Sequence, residues 1–445
     1  MEIYTIGGFS EVGKNMTVVD MGEDAVIFDA GLFLPAVVEL QERENKNPTE
    51  KLLRSVGALP EDTILDTKGI RNKVRAILVG HAHLDHVGAI PYVAPRYNAD
   101  VVGTPFTIEV LKKLLEDNEY NLKNPLKAIQ PNSSYMIQGK KREYKVDFIN
   151  ITHSTIQTSL IALHTPQGVV LYANDFKLDN TPIVGKKPEY GKIKQIAKEG
   201  VKALIVDSLY SSEEAKTPSE KIARCLLEDV MLTTDNENAG IIVTTFSSHI
   251  ARLKSIVDFS KQLKRKPVFL GRSLNKYTQA AINVKMCPFE KDVITASYKH
   301  QVQGILKKIA RNKEDYVVVC TGHQGEPGSI LDRLSTDVLP LSISNKDHVI
   351  FSSRVIPSPI NFANREKIEK RIRKKGARIF SSAHVSGHAA REDLRDFVNM
   401  IQPHHIIPAH GDLQKLTPMV ELASELGYKY GRDCHLLQDL QMIKL

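Results

Sequence analysis

The sequence has little cysteine, and what it has is scattered. Cys225, Cys287, Cys320 and Cys434 form no C-x-x-C pair, which argues against a disulfide framework and against a thiolate zinc site. No apolar run approaches the roughly 20 residues a helix needs to cross a bilayer. The opening Met1-Glu2-Ile3-Tyr4-Thr5-Ile6 enters a strand pattern at once, without a basic segment, apolar stretch and cleavage site. These absences predict a cytoplasmic protein with no membrane partner. A Walker A sequence is missing too. The loop from Gly7-Gly8 to Gly13-Lys14-Asn15 has the wrong spacing and no helix pattern behind it, so it reads as a tight turn between strands.

At 445 residues the chain is too long for one ordinary core and predicts two domains, or one domain with a large insertion. A formal charge of +8 permits a polyanionic partner without requiring one. The informative stretch is His81-Ala82-His83-Leu84-Asp85-His86, delivered by the aliphatic run Val74–Val79, which reads as a buried strand. Imidazole and carboxylate together are ligands for zinc, manganese or iron. Crowding them onto six residues lets one loop serve two ions about 3.5 to 4 Å apart, a pair suited to phosphate-ester hydrolysis. The run is interior, flanked by apolar residues and not repetitive, unlike a His-rich surface tract. Val87 to Ile90 is expected to open a helix behind it.

Strand patterns also cover residues 3–6, 16–19 and 25–28, the last ending at Asp29. Residues 34–73 read as a long, irregular surface excursion with one helix near 50–55. Thr104-Pro105 offers an N-cap and first-turn proline for a helix to about residue 116. A strand over 144–152 delivers His153, and a hairpin of 159–164 with 169–172 delivers Asp175. Three strand ends bearing metal-type ligands can converge on one sheet edge.

From residue 192 onward, strands at 203–207, 240–246, 267–271, 316–321 and 348–353 alternate with amphipathic helices such as 248–263 and 301–311, the mark of a mostly parallel sheet with helices on its faces. The loops Ser247-Ser248-His249, Gly271-Arg272-Ser273 and 321–328 suit phosphate holding and plain helix capping equally. A basic helix over 365–375 reads as a solvated face or as a stripe that tracks phosphates. A strand over 377–382 then runs into His384-Val385-Ser386-Gly387-His388, and one over 405–408 ends at His410. His164, His300, His348, His404, His405 and His435 lack such settings and read as structural or surface residues.

H-x-H-x-D-H, then a single His, a single Asp and a late His, follow the ligand order of the metallo-β-lactamase superfamily. With an α/β insertion before the final histidines, the chain resembles the beta-CASP nucleases, and within them the ribonuclease J family in its archaeal form. The resemblance spans essentially the whole chain and rests on Gly7 to Asn15, the histidine loop, His153-Ser154, Asp175-Phe176-Lys177, the run from Thr321 to Pro327, His384 to His388, and Pro408-Ala409-His410-Gly411. It implies an α/β fold: an αββα lactamase sandwich over residues 1–195 and 372–445, interrupted by a mostly parallel beta-CASP domain over 196–371. The chain ends at Leu445 without the C-terminal domain of bacterial members, which favours the archaeal form.

The resemblance further implies two divalent ions, zinc or alternatively manganese. One would be held by His81, His83, His153 and Asp175, the other by Asp85, His86, Asp175 and His410. Asp29 would orient a ligand imidazole, Asp207 would be the family's acid at the start of the insertion, and His388 would contact the scissile phosphate. With Asp29 and Asp85, His388 makes up the expected catalytic set. The implied activity is a 5′ to 3′ exoribonuclease on single-stranded RNA with a 5′ monophosphate. His384, Val385, Ser386, Gly387 and His388, with Ser248 and His249, would hold the RNA, and the protein would be a homodimer. His249 and His323 stand where the family more often has Asn and Ser. The alternatives are an endonuclease of the cleavage-and-polyadenylation type and a non-enzymatic RNA-binding scaffold.

Overall fold

The structure is a computed structural model that describes residues 1–43 and 49–445. Its strands, in chain order, begin with β1 (Glu2–Gly7), β2 (Met16–Asp20), β3 (Ala25–Phe28), β4 (Val74–Val79), β5 (Asp100–Gly103) and β6 (Leu126–Ala128). Next come β7 (Ser133–Gln138), β8 (Glu143–Asn150), β9 (Ser159–Thr165), β10 (Gly168–Ala173) and β11 (Val201–Asp207). β12 (Ile241–Thr244), β13 (Lys266–Leu270), β14 (Ile294–Ala296), β15 (Tyr316–Cys320), β16 (His348–Phe351) and β17 (Arg378–Phe380) follow, and β18 (His405–Ala409) and β19 (Gln441–Lys444) close the series.

The chain divides into two compact units. The first comprises Met1–Asn180, Lys186–Thr217 and Gly387–Leu445, the second Thr181–Gly185 and Pro218–Ser386. Both divisions fall later in the chain than the expected 195/196 and 371/372.

In the first unit two sheets lie face to face, in the orders β19-β1-β2-β3-β4-β5-β6 and β18-β11-β10-β9-β8-β7. Period-two alternation builds its three apolar layers. Val26, Phe28, Ala76 and Leu78 of the first sheet meet Phe148, Ile161, Val170 and Ile205 of the second in one central cluster. Ala25, Ile27, Ile77 and Val79 point the other way, onto the helical cover around Leu53, Val93 and Leu111. Leu160, Leu171 and Leu204 do the same on the second sheet, against Ile196, Phe397 and Met419. The result is the expected αββα sandwich.

The second unit contains the third sheet, in the order β14-β13-β15-β12-β16-β17, with every strand pair parallel. β11 is a correction. Read in sequence as the first strand of the insertion, it pairs in parallel with β10 and β18 in the first unit. A continuous apolar strand looks the same in either parallel sheet, so its pattern does not reveal which one it joins.

The excursion at 34–73 is more ordered than expected. Besides Glu50–Ser55 it contains helices Leu34–Arg43 and Ile64–Thr67, the first burying Ala36 and Leu40, one turn apart, in the core. Its Glu/Asn/Lys-rich centre, residues 44–48, lies outside the described residues. The basic helix forms as Pro359–Lys374, but much of its charge is spent locally: Arg371 pairs with Asp332, Arg365 and Arg373 with Glu369, and Lys370 with Glu366.

Candidate metal centre

Most side chains of the centre stand at or just past the C-terminal end of a strand of the first unit. Asp29 follows β3, the histidine run follows β4, His153 follows β8, Asp175 follows β10, Asp207 ends β11 and His410 follows β18. The histidine run departs from the all-loop reading of the sequence, which placed a helix only behind it at Val87 to Ile90. His83 adopts extended backbone and caps a short helix, Leu84–Val87, which begins inside the motif and carries Asp85 and His86 on its single turn.

Two groups of ligand atoms form. Those of His81, His83, His153 and Asp175 lie within 4.8 Å of one another, and so do those of Asp85, His86, Asp175 and His410. Asp175 belongs to both and divides its oxygens between them. Its Oδ2 lies 3.4 Å from His81 Nε2 and 3.5 Å from His153 Nε2, while Oδ1 lies 3.3 Å from His86 Nε2 and 3.6 Å from His410 Nδ1. His83 Nδ1 sits 3.0 Å from His81 Nε2 and 3.2 Å from His153 Nε2.

This donor set fits divalent cations on three counts. Burial holds His83 and His153 well below the usual imidazole range, so both rings are neutral, as metal-ligating imidazoles must be. Asp175 Oδ1 is buried without a hydrogen-bond partner, a costly state for a carboxylate that no cation meets. Burial also opposes ionisation of Asp175, yet the facing His410, His86 and His388 outweigh it and keep the carboxyl well below its usual range. His86 shows the same excess of negative charge. Burial disfavours its protonation, but Asp175, Asp29 and Asp85 around it drive its pKa well upward.

A buried network fixes the ligands. Asp29 Oδ2 accepts from His86 Nδ1 at 2.6 Å, its Oδ1 accepts from the Gly80 N–H, and the Tyr172 hydroxyl donates to Oδ2 at 2.7 Å. This turns His86 Nε2 toward the cluster, which is how an outer carboxylate sets tautomer and ring direction. Asn174 donates to the Tyr172 hydroxyl and to Asn15 Oδ1. The Asn15 amide lies 3.1 Å from His86 Nε2 and 2.9 Å from His410 Nδ1. The glycine loop is therefore more than a turn: it carries Asn15, and Gly8 O accepts from the His410 N–H at 2.7 Å.

His153 Nδ1 donates to Gly387 O at 2.8 Å, and a Cβ on Gly387 would stand 3.0 Å from the His153 ring. His388 Nδ1 bonds Asp207 Oδ2 at 2.7 Å, and its Nε2 lies 4.0 Å from Asp175. Although burial opposes it, Asp207 and Asp175 push the His388 pKa up to about 9.

Asn15, Tyr172 and Asn174 are absent from the candidates read from sequence. Asn174 precedes Asp175 and Tyr172 lies two residues earlier on the same strand, a weak signal that only the three-dimensional position makes meaningful. Sequence also hides the backbone: Asp29, Asp175 and His410 all have positive φ, at 58°, 55° and 64°. Strained conformations of this kind persist where surrounding structure over-determines them.

The residues expected at the RNA are divided by the unit boundary, Gly387 and His388 falling in the first unit and Ser248, His249, His384, Val385 and Ser386 in the second. In the second, His249 caps helix Ile250–Gln262 through Nδ1 and sets Nε2 3.3 Å from Glu220, so both ring nitrogens are engaged.

Comparison with known proteins agrees with this geometry. Residues 10–187 match the metallo-beta-lactamase superfamily, 238–389 the ribonuclease J beta-CASP domain, and 373–436 the Zn-dependent metallo-hydrolase RNA specificity domain. Ribonuclease J of Methanocaldococcus jannaschii is 42% identical over 445 residues, covering 100% of this chain and 98% of the relative. The chain belongs to the ribonuclease J family. Ribonuclease J of Pyrococcus abyssi is 41% identical, covering 100% and 97%, and that of Helicobacter pylori strain B128 is 27% identical, covering 100% and 60%. The full-length match to archaeal members agrees with the form expected from sequence. A crystal structure of an Enterococcus faecalis V583 protein of unknown function shares the fold, with TM-score 0.66 at 18% identity over 100% of this chain and 99% of that one. As a member of the ribonuclease J family the protein is a metal-dependent, RNA-binding ribonuclease. None of its described helices is long and apolar enough to cross a membrane.

Proposed function

We propose that the protein degrades single-stranded RNA from its 5′ end, prefers a 5′ monophosphate and releases mononucleotides, using two divalent ions. The carrying observation is the sharing of Asp175, whose two oxygens face two separate ligand groups. His81, His83 and His153 with Asp175 would hold one ion, and Asp85, His86 and His410 with Asp175 the other. Zinc suits this nitrogen-rich set, and manganese is the alternative. When bound, such ions supply Lewis acidity that activates water near neutral pH and neutralises charge on phosphoryl oxygens.

The protein's own residues do the rest. Asp29 orients His86 and Gly387 O orients His153. His388, fixed on Asp207 through Nδ1, directs Nε2 toward the scissile phosphate and the departing 3′ oxygen. Within the second unit, His384, Val385 and Ser386 with Ser248 would receive the terminal phosphate, and His249 would support them. The reading extends to a cytoplasmic homodimer.

Product analysis tests it. A 5′-monophosphorylated RNA should yield mononucleotides from its labelled 5′ end, faster than RNA with a 5′ triphosphate or hydroxyl. Internal fragments at equal rates from all three would establish an endonuclease instead.

A further inference from the structure

Arg252 is the largest fully buried side chain among the described residues, and it lies in the first turn of a helix. Both features are costly. A cation at a helix N-terminus opposes the macrodipole, and a buried ion pair stabilises a fold no better than an apolar pair of similar volume. Stability alone gives no reason for this arginine.

Its contacts do. Glu220 neutralises it, with Nε–Oε1 at 2.6 Å and NH2–Oε2 at 2.8 Å. The remaining terminal nitrogen donates to Ser352 O at 2.9 Å and Ser352 Oγ at 2.7 Å, and stands 3.3 Å from His384 Nδ1. Ser352 Oγ in turn donates to Ala383 O at 2.6 Å. The backbone just before the His384–Ser386 run is thereby fastened from beneath, entirely within the second unit.

A guanidinium has donors and no acceptor. The His384 nitrogen 3.3 Å from it therefore favours a lone pair over a second hydrogen pointed at a cation, which places the ring hydrogen on Nε2. Burial and the adjacent Arg252 charge hold the His384 pKa down to about 2, so the ring stays neutral. No described residue hydrogen-bonds that Nε2.

We propose that Arg252 is a positioning residue that locks His384 as a neutral Nε2–H donor for an anionic oxygen of the RNA, with Glu220 cancelling its charge. The proposal rests on the reading of residues 384–388 as RNA-facing. Arg252 itself is out of reach of substrate and acts through His384.

The test uses the full-length enzyme loaded with diamagnetic zinc and labelled with 15N-histidine. Long-range 1H–15N spectra, with the His384 signal assigned by its loss in His384→Gln, are expected to show Nε2–H and no titration between pH 8 and 5.5. A protonated Nδ1, or titration near pH 6.5, overturns the proposal on wild-type protein alone, so folding of a variant is not required. In Glu220→Gln/Arg252→Met, which leaves no orphaned charge, the His384 pKa should rise from its wild-type value, burial still holding it down, and the hydrogen should no longer be confined to Nε2. KM for 5′-monophosphorylated RNA should rise about tenfold, the loss of one hydrogen bond to a charged group, with kcat little changed. An unchanged tautomer or an unchanged KM in that variant overturns the proposal. Indifference of the wild-type enzyme to the 5′ phosphate would sink the substrate reading instead, and the spectra, which need no RNA, keep the two failures apart.

Discussion

Asp29 is fully buried, and it acts on the centre through its bond to His86 and through the Gly80 N–H, which precedes the histidine run. Tyr172 stands one step further out, stacked on Phe28 at 4.9 Å with its hydroxyl on the same carboxylate. Removing Asp29 as Ala frees His86 to rotate and leaves Tyr172 without an acceptor. Metal affinity should fall about 10- to 100-fold, the usual effect of losing an outer partner of a ligand. Tyr172→Phe keeps the stacking and removes only the donor, so its loss should be smaller. Metal content after dialysis against graded chelator, measured by mass spectrometry, checks both. Equal retention by wild type and Asp29→Ala would remove Asp29 from the ligand-orienting role. From sequence Asp29 was visible as an acid at a strand end, a position that turn formers also occupy, and its assignment came from the family resemblance. Nothing in the chain marked Tyr172, because a tyrosine on an apolar strand looks like core until its hydroxyl's partner is known.

At the level of elements, the centre was legible wherever a strand ended in a ligand-type residue, since period-two alternation fixes both the strand and its end. β4, β8, β10 and β18 with His81, His153, Asp175 and His410 are such cases. Legibility failed where the apolar pattern is shared by different destinations, as for β11, and where close approach matters more than pattern. Gly31 shows the second failure. A Cβ there would lie 1.6 Å from the Asp85 carbonyl oxygen and 2.1 Å from its carbon, so the short helix bearing Asp85 and His86 packs directly on the glycine. Gly31→Ala must push that helix away, and a displacement near 1 Å costs about 100-fold in rate. Turnover of 5′-labelled RNA should fall by that order, with bound metal reduced. Gly304 is the matched control. It is exposed within helix Lys299–Ile309, and a Cβ there meets nothing within 4 Å. Gly304→Ala should leave turnover unchanged and stabilise the helix by about 1 kcal/mol. Parallel behaviour of the two variants would refute the close-packing account.

Across the whole molecule, the second unit has a proton inventory of its own. His323, His348 and His384 all have lowered pKa values there, chiefly through burial, with Arg365, Arg378 and Arg252 respectively adding to it. An unfolded chain would protonate all three near pH 6.5. Below that value the unfolded state binds more protons than the folded one, and stability falls with pH for as long as this difference lasts. Glu220 acts further down the scale. Burial raises its pKa, but Arg252 and then His249 outweigh that and hold it well below the usual range. Its contribution is complete above the ordinary glutamate pKa of about 4.3 and is lost as pH falls toward the folded value. Two windows follow, a histidine window from about pH 6.5 downward and a carboxylate window below about 4.3. Hydrogen exchange in peptides from residues 218–386, corrected for intrinsic rates, should show protection declining from pH 7 to 5. His384→Gln should make that decline shallower by removing one of the three protons taken up. Equal protection across the range in wild type would mean that the three histidines titrate alike in folded and unfolded chains, and that the buried Arg252 charge is not felt by the ring beside it.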